Sequence, residues 1–275
     1  MNKEAQTVLV TGASSGMGKD FALTLAQQGY RVYAAARRLE KMEHMKTAGV
    51  TPLKMDITKD EDIQAVVKTI ADDAGGVDIL INNAGFGMYG AVEDTSIDDA
   101  RYQFEVNLFG LARLTQLVLP SMRDKGAGKI INISSIGGKI YTPLGAWYHA
   151  TKHGLEGWSD SLRLETAQFG IDVVIVEPGA IKTEFGDVMG GPMMERSGKT
   201  AYAKLAKGLS KALKQANEGS GGSEPKVITD LILKAVKSDK SKTRYAAGKY
   251  AAQLLFMRRW FSDRLFDRAV MSMVR

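Results

Sequence analysis

The 275-residue sequence contains no cysteine. That removes disulfides, thiolate catalysis and thiolate-ligated metal sites from consideration. Histidine is scarce at three residues. His149 and His153 stand at i and i+4 but lack the glutamate of an H-E-x-x-H site, so no metal is expected. No run approaches the ~18 apolar residues that a membrane-spanning helix needs. Residues 1–6 have no apolar core of a secretory signal, and a cytoplasmic location is expected. No internal repeat is visible. Apolar residues make up 44% and charged residues 25%, ordinary values for a soluble globular chain. The length suits one large α/β domain over residues 1–275. A net charge of +6 admits an anionic partner without choosing one, and no nucleic-acid partner is expected.

What is present begins at residue 7. The apolar run Val8-Leu9-Val10 leads into Gly12, Gly16 and Gly18, and a helical pattern follows through Phe21, Leu23, Leu25 and Ala26. This is a strand, a tight turn and a helix. Such a turn lets a ligand approach the backbone, and the helix N-terminus after it offers free N–H groups and a positive dipole end to phosphate. Gly12 to Gly16 also fits G-x-S-x-G, the hydrolase elbow, with Ser14 as nucleophile. That elbow normally follows several strands, whereas here one strand precedes it. Further strand patterns lie at 31–36, 52–55, 77–82, 129–134, 172–177 and 243–247, with helical patterns clearest at 18–28, 61–73, 99–123 and 148–169. The alternation predicts a doubly wound, Rossmann-type, mostly parallel seven-stranded sheet with helices on both faces.

A NAD-binding fold places an acidic side chain on the ribose 2′-hydroxyl about 20 residues beyond the glycine turn. Here that place is taken by Ala36, followed by Arg37 and Arg38. Arginine grips a 2′-phosphate through charge-assisted bonds, so NADP(H) is expected. Downstream, Tyr148 and Lys152 are spaced to share one face of a helix. A phenol of pKa ~10 is a poor base at neutral pH. A nearby ammonium favours the phenolate and brings the group towards working pH.

The T-G-x-x-x-G-x-G turn, Asn82-Asn83-Ala84-Gly85, Ser135 thirteen residues before the tyrosine, and Y-x-x-x-K together resemble the short-chain dehydrogenase/reductase family over residues 6–184. They resemble its single-domain branch, and the segment Val32 to Arg38 looks like the 17β-hydroxysteroid-dehydrogenase-like subgroup. The resemblance implies an NADP(H)-dependent oxidoreductase interconverting a carbonyl and an alcohol. It implies a catalytic set of Asn107, Ser135, Tyr148 and Lys152. Tyr148 would be the general acid/base, Ser135 the partner of the carbonyl oxygen, and Lys152 the residue that lowers the phenol pKa and holds the ribose. Asn107 would kink its helix and bind a relay water. The resemblance further implies cofactor contacts from Gly12, Ser14, Ser15, Gly16, Met17 and Gly18, and from Arg37 and Arg38. Asp56 would meet the adenine amino group, with a turn or cap role as its plain alternative. Asn83, Ala84 and Gly85 would line the cleft, and Pro178, Gly179, Ile181 and Thr183 the nicotinamide end.

Beyond residue 184 the texture changes. Residues 184–225 are expected to form a substrate lid or loop insertion, with Gly186, Gly190 and Gly191 as hinges, Met189, Met193 and Met194 as adaptable apolar surface, and a glycine/serine loop at 217–223. Tyr141, Pro143, Leu144 and Trp147 would add an apolar wall, so an apolar carbonyl or alcohol substrate is expected. Leu155, Trp158, Leu162 and Phe169 would face a partner in a homodimer or homotetramer, or else fill the intrachain core. The tail at 249–275 mixes aromatic and basic residues. It reads either as a peripheral membrane helix or, the preferred reading, as a segment folded back over the substrate mouth or a partner subunit.

Overall fold

The computed structural model describes residues 5–183, 185–217 and 222–274. Seven strands, β1 (Thr7–Thr11), β2 (Arg31–Ala36), β3 (Val50–Lys54), β4 (Ile79–Asn82), β5 (Gly128–Ile133), β6 (Ile171–Pro178) and β7 (Arg244–Ala247), form one sheet in the order 3-2-1-4-5-6-7. Every strand pair is parallel. Helices α1 (Gly16–Gln27), α2 (Asp60–Ala74), α3 (Ile97–Phe104), α4 (Gly110–Lys125) and α5 (Ala146–Thr166) make the early crossovers. They are followed by α6 (Phe185–Ser197), α7 (Ala203–Asn217) and α8 (Lys226–Lys237), and after β7 by α9 (Ala251–Trp260) and α10 (Asp263–Met273).

Both sheet faces are covered, which is why the central strands are apolar throughout rather than alternating. Successive side chains still point to opposite sides. Val8 and Val10 join Phe21, Leu25, Ile228 and Ile232 in one core. Leu9, between them, joins Ile63, Ile70, Leu114, Val118 and Leu162 in the other. Burying a side chain of this size is worth about 1.5–3 kcal/mol. A buried polar chain runs across the layers as well. Asn82 Nδ2 donates to Thr115 Oγ1 (3.2 Å) and Asn132 Oδ1 (2.9 Å), and Asn132 Nδ2 donates to Ser159 Oγ (2.9 Å). It ties β4 and β5 to α4 and α5, which pack on the same face of the sheet.

The strand order runs outward one way from β1 to β3 and the other way from β4 to β7, so it switches between β1 and β4. Such a switch point opens a crevice beyond the strand ends. Asn83, just past β4, closes against the glycine turn there. Its Nδ2 donates to the carbonyls of Thr11 (2.9 Å) and Gly12 (3.3 Å). Gly12 has φ +66°, and a Cβ on it would lie 2.8 Å from Ala84 Cα, so only glycine lets the two strand ends approach this closely.

Three expectations change. The helix expected over 99–123 is interrupted by one π-turn, Glu105–Phe109, between α3 and α4. The segment expected to be a hinged lid contains helix α6, which runs through Gly190, Gly191 and Pro192, and then α7. Of the expected glycine/serine loop, residues 218–221 lie outside the described residues. Finally, Leu155 and Leu162 are buried inside the single chain at 1% and 6% exposure, so they are core and not a docking face. Trp158 packs on the same core as Leu162, and Phe169 is partly exposed.

Candidate active site

One cavity of about 630 Å³ opens at the switch point and runs from the glycine turn to the C-terminal helices. Gly12, Ser15, Gly16, Met17 and Gly18 line one end. Ser15 is the N-cap of α1, and its side chain makes no capping bond. The first-turn N–H groups are therefore not taken by their own cap, the arrangement that suits a phosphate. Thr183 faces this turn, because a Cβ on Gly16 would meet its Cγ2 at 3.6 Å.

Arg37 and Arg38 line the same end. Arg38 lies across the turn, donating from Nε and Nη2 to Ser14 Oγ (3.3 and 3.1 Å) and from Nη2 to Ser15 Oγ (3.1 Å). Arg37 donates to Tyr102 Oη at 3.0 Å. Ser14 is thus reached through Arg38 and is not itself a lining residue. Asp56 does not line the cavity either. Its Oδ1 accepts from the backbone N–H (3.0 Å) and hydroxyl (2.8 Å) of Thr58, so the described contacts of Asp56 are those of a turn residue. Asn83, Ala84 and Gly85 line the middle, and Pro178, Gly179 and Ile181 follow β6 on the far wall.

Ser135, Tyr148 and Lys152 converge in that middle part. Ser135 caps a short 3₁₀ turn, accepting from Gly137 N–H at 3.0 Å. It also hydrogen-bonds Tyr148. Ser134 Oγ is buried without a hydrogen-bond partner among the described residues, so Ser135 is the serine joined to the phenol. Lys152 Nζ donates to Ile133 O at 2.9 Å. Burial holds its pKa down at about 8, and Glu156, one turn on, partly opposes that.

The Tyr148 phenol departs from expectation. Burial pushes its pKa up, the neighbouring Tyr89 adds to this, and the Ser135 hydrogen bond only partly opposes it. In the protein by itself, loss of hydration outweighs any attraction to the lysine. Asn107 also differs from its expected part. It occupies the π-turn, but its amide is satisfied by protein, with Oδ1 accepting from Phe86 N–H (3.0 Å) and Nδ2 donating to Phe86 O (2.9 Å) and Thr151 Oγ1 (3.1 Å). Asn107 does not line the cavity. It stands behind Gly85, where a Cβ would come 3.2 Å from Asn107 Oδ1 and 3.8 Å from Lys152 Nζ.

His149 is fixed by its neighbours. Nε2 accepts from Thr142 N–H at 3.0 Å, which leaves the proton on Nδ1 for the Gly137 carbonyl at 2.9 Å. Burial lowers its pKa and keeps it neutral. Leu144, at the turn into α5, holds φ 64°. Its carbonyl accepts from Gly90 N–H at 2.8 Å, which fixes this strained conformation and with it the start of the helix that bears Tyr148.

The apolar wall is built differently from the one expected. Tyr141, Pro143, Leu144 and Trp147 do not line the cavity. Tyr141 packs on Phe266 at 5.2 Å and donates to Asp267. Leu209 and Leu213 of α7, Leu254 of α9, and Val270 and Met273 of α10 form the roof instead, and Met189 of α6 joins them. Met193 is buried, and Met194 packs beside it. Lys182 pairs with Glu224 (2.7 Å) and Arg196 with Asp99 (3.7 Å). Tyr89 was not anticipated. It lines the cavity with its ring 5.8 Å from that of Tyr148, and a tyrosine so soon after the N-N-A-G turn was the available signal.

A parallel sheet, a phosphate-ready glycine turn at its switch point, and a Ser–Tyr–Lys cluster in the same cavity define a dinucleotide-dependent oxidoreductase. The comparisons agree. A family model described as short chain dehydrogenase matches residues 6–190. The chain is 34% identical over 268 residues to the uncharacterized oxidoreductase YbbO of Escherichia coli, covering 96% of this chain and 93% of the relative. It is 34% identical to 3-ketodihydrosphingosine reductase of Bacteroides thetaiotaomicron, covering 97% of each. It is 31% identical to mouse 17-beta-hydroxysteroid dehydrogenase type 1, covering 86% of this chain and 72% of that protein. The crystal structure of a short-chain dehydrogenase from Streptomyces avermitilis superposes with a TM-score of 0.79 at 33% identity, covering 98% of this chain and 96% of that one. A serine dehydrogenase complexed with NADP+ gives 0.76 at 25% identity, covering 88% of this chain and 94% of that one. The chain belongs to the short-chain dehydrogenase/reductase family. It is an oxidoreductase of alcohol and carbonyl groups, and the glycine turn, the uncapped α1 start and the cavity fit a nicotinamide dinucleotide.

Proposed function

We propose that the protein is an NADP(H)-dependent carbonyl reductase and alcohol dehydrogenase for apolar substrates. The observation that carries this reading is a single cavity with Arg37 and Arg38 at one end, Tyr148 hydrogen-bonded to Ser135 in the middle, and an aliphatic roof at the other end. The cofactor supplies or takes up the hydride when bound. Gly12 to Gly18 and Thr183 hold its phosphates, Arg37 and Arg38 select the 2′-phosphate, and Pro178, Gly179 and Ile181 bound the nicotinamide end. Ser135 donates to the substrate oxygen, where negative charge develops. Tyr148 gives that oxygen a proton in reduction and takes it back in oxidation. Lys152, when charged, stabilises the phenolate and meets the ribose. Asn107 acts through others, fixing the 85–86 backbone and α5.

Two relatives are named for lipid substrates, a ketodihydrosphingosine and a 17-beta-hydroxysteroid, which supports the apolar assignment. Residues 184–225 act as the lid, the protein is a homodimer or homotetramer, and it works in the cytoplasm. The test is consumption of NADPH and of NADH over a panel of carbonyls matched in size. Apolar ketones and aldehydes with NADPH are expected to lead. A strong preference for anionic or sugar substrates, or equal use of both cofactors, overturns the corresponding part.

A further inference from the structure

The roof of the cavity and an exposed aromatic patch are two sides of the same pair of helices. α9 and α10 turn Leu254, Val270 and Met273 to the cavity, and Phe266 is fully buried. On the outer side Phe256, Trp260 and Phe261 are 58%, 65% and 44% exposed. Their rings touch: the Phe256 centroid lies 6.5 Å from that of Trp260 and 6.3 Å from that of Phe261. Leu265, half exposed, follows on α10. Single exposed apolar residues need no explanation, but a joined aromatic cluster marks a surface that is covered in use.

Its surroundings say by what. Arg259, Arg264 and Arg268 are exposed, and none of the three is in an ion pair among the described residues. Arg259 lies over the Trp260 ring at 5.4 Å. Between residues 249 and 275 the basic residues are Lys249, Arg258, Arg259, Arg264, Arg268 and Arg275, against Asp263 and Asp267 alone. Aromatic rings within a cationic rim match the boundary of an anionic bilayer, where the rings enter the interface and the guanidinium groups stay with the headgroups. A two-fold contact with a second copy would instead bring like-charged rims together. The cavity rim is on the same helices, since Tyr250 and Met273 line the cavity and are also 44% and 54% exposed.

We propose that the outer face of α9 and α10 docks on an anionic bilayer surface, and that substrate enters the cavity from the lipid past Tyr250 and Met273. This departs from the preferred sequence expectation only in part, because the inner face of the tail does fold back over the mouth. The docking surface is independent of which carbonyl is reduced, whereas the entry route rests on the apolar-substrate reading above.

The test is co-sedimentation of the full chain with vesicles of phosphatidylcholine alone and of phosphatidylcholine mixed with phosphatidylglycerol. Binding is expected to the mixed vesicles and to fall as salt is raised. The triple change Phe256→Ser, Trp260→Ser and Phe261→Ser, and separately Arg259→Glu with Arg264→Glu, should each weaken it by about tenfold or more. Neither set should alter turnover of a short water-soluble ketone or the circular dichroism spectrum. Absence of vesicle binding, or binding indifferent to both variant sets, overturns the docking surface. So does light scattering that shows the variants losing an oligomer while neither they nor the wild type bind vesicles, because a second copy then covers the patch. Retained vesicle binding by an enzyme that prefers anionic substrates in solution overturns the entry route alone.

Discussion

Lys152 donates from Nζ to the main-chain oxygen of Ile133 over 2.9 Å, so the last carbonyl of β5 positions the amine that stands beside Tyr148. The cluster is held from the sheet side as well as from its own helix. Its chemistry then depends on which protons the buried groups keep.

Tyr148→Phe removes the phenol proton and little else. The rate of carbonyl reduction should fall by about 10²–10⁴-fold, while NADPH binding, followed by fluorescence titration, stays close to wild type. A variant retaining near wild-type rates sinks the assignment.

The pH profile follows from two directions of shift. Burial raises the Tyr148 pKa, so the proton-bearing form needed for reduction persists through neutral pH. Lys152 is held down at about 8, so its positive charge is lost above that pH. The kcat/KM for reduction should be flat up to neutral pH and then fall on an alkaline limb near 8. Lys152→Arg, whose guanidinium does not titrate there, should move that limb upward if the variant remains active. A profile with no limb in this region removes Lys152 from the mechanism.

Glu177 makes a separate prediction about stability. Burial first, then the adjacent Glu156, raise its pKa from 4.5 to about 7, against the pull of Lys139 and Arg244. Between these values the folded chain keeps a proton that the unfolded chain has released. Stability therefore falls as pH rises from 4.5 to about 7, and this loss is complete above that. Glu177→Gln cannot titrate, so its Tm should drop less between pH 5 and pH 8 than that of the wild type. An equal drop in both refutes the assignment.

Cofactor choice rests on Arg37 and Arg38. Changing both to Ala should cut the NADPH over NADH ratio of kcat/KM by about tenfold or more, equivalent to ~1.4 kcal/mol. Steady-state kinetics with each cofactor decide it, and an unchanged ratio counts against both residues.

The buried polar chain can be tested without any ligand. Asn132→Ala strips partners from Asn82 and Ser159 at once. Leaving a buried donor on Asn82 and a buried acceptor on Ser159 without this partner costs about 1–3 kcal/mol, read as a lower midpoint in urea with the slope unchanged.

The parts of the site that could be read in the sequence are those set by backbone constraint. Gly12 and Gly18 are glycines because another strand end lies against them, and such a requirement leaves a spacing that survives in one dimension. Tyr148 and Lys152 share a helix face for the same local reason. Asn107 was harder, since what it bonds depends on neighbours brought from elsewhere, Phe86 and Thr151, whereas Asp56 bonds the nearby Thr58, the plain turn alternative that its sequence context also allowed. Tyr141 misled because its direction depends on a helix more than a hundred residues later in the chain. Leu155 and Leu162 carry no mark that separates a core face from an interface face, and only packing decides it.

The roof has a consequence for how this enzyme can be altered. Met189, Leu209, Leu213, Leu254, Val270 and Met273 all follow β6, while the glycine turn, the arginines and the Ser–Tyr–Lys cluster all precede its end. On the proposed function the chain is thus ordered like a tool with an exchangeable head: reaction first, selection afterwards. Transplanting the stretch after Thr183 from one relative to another should carry substrate taste with it and leave hydride transfer where it was.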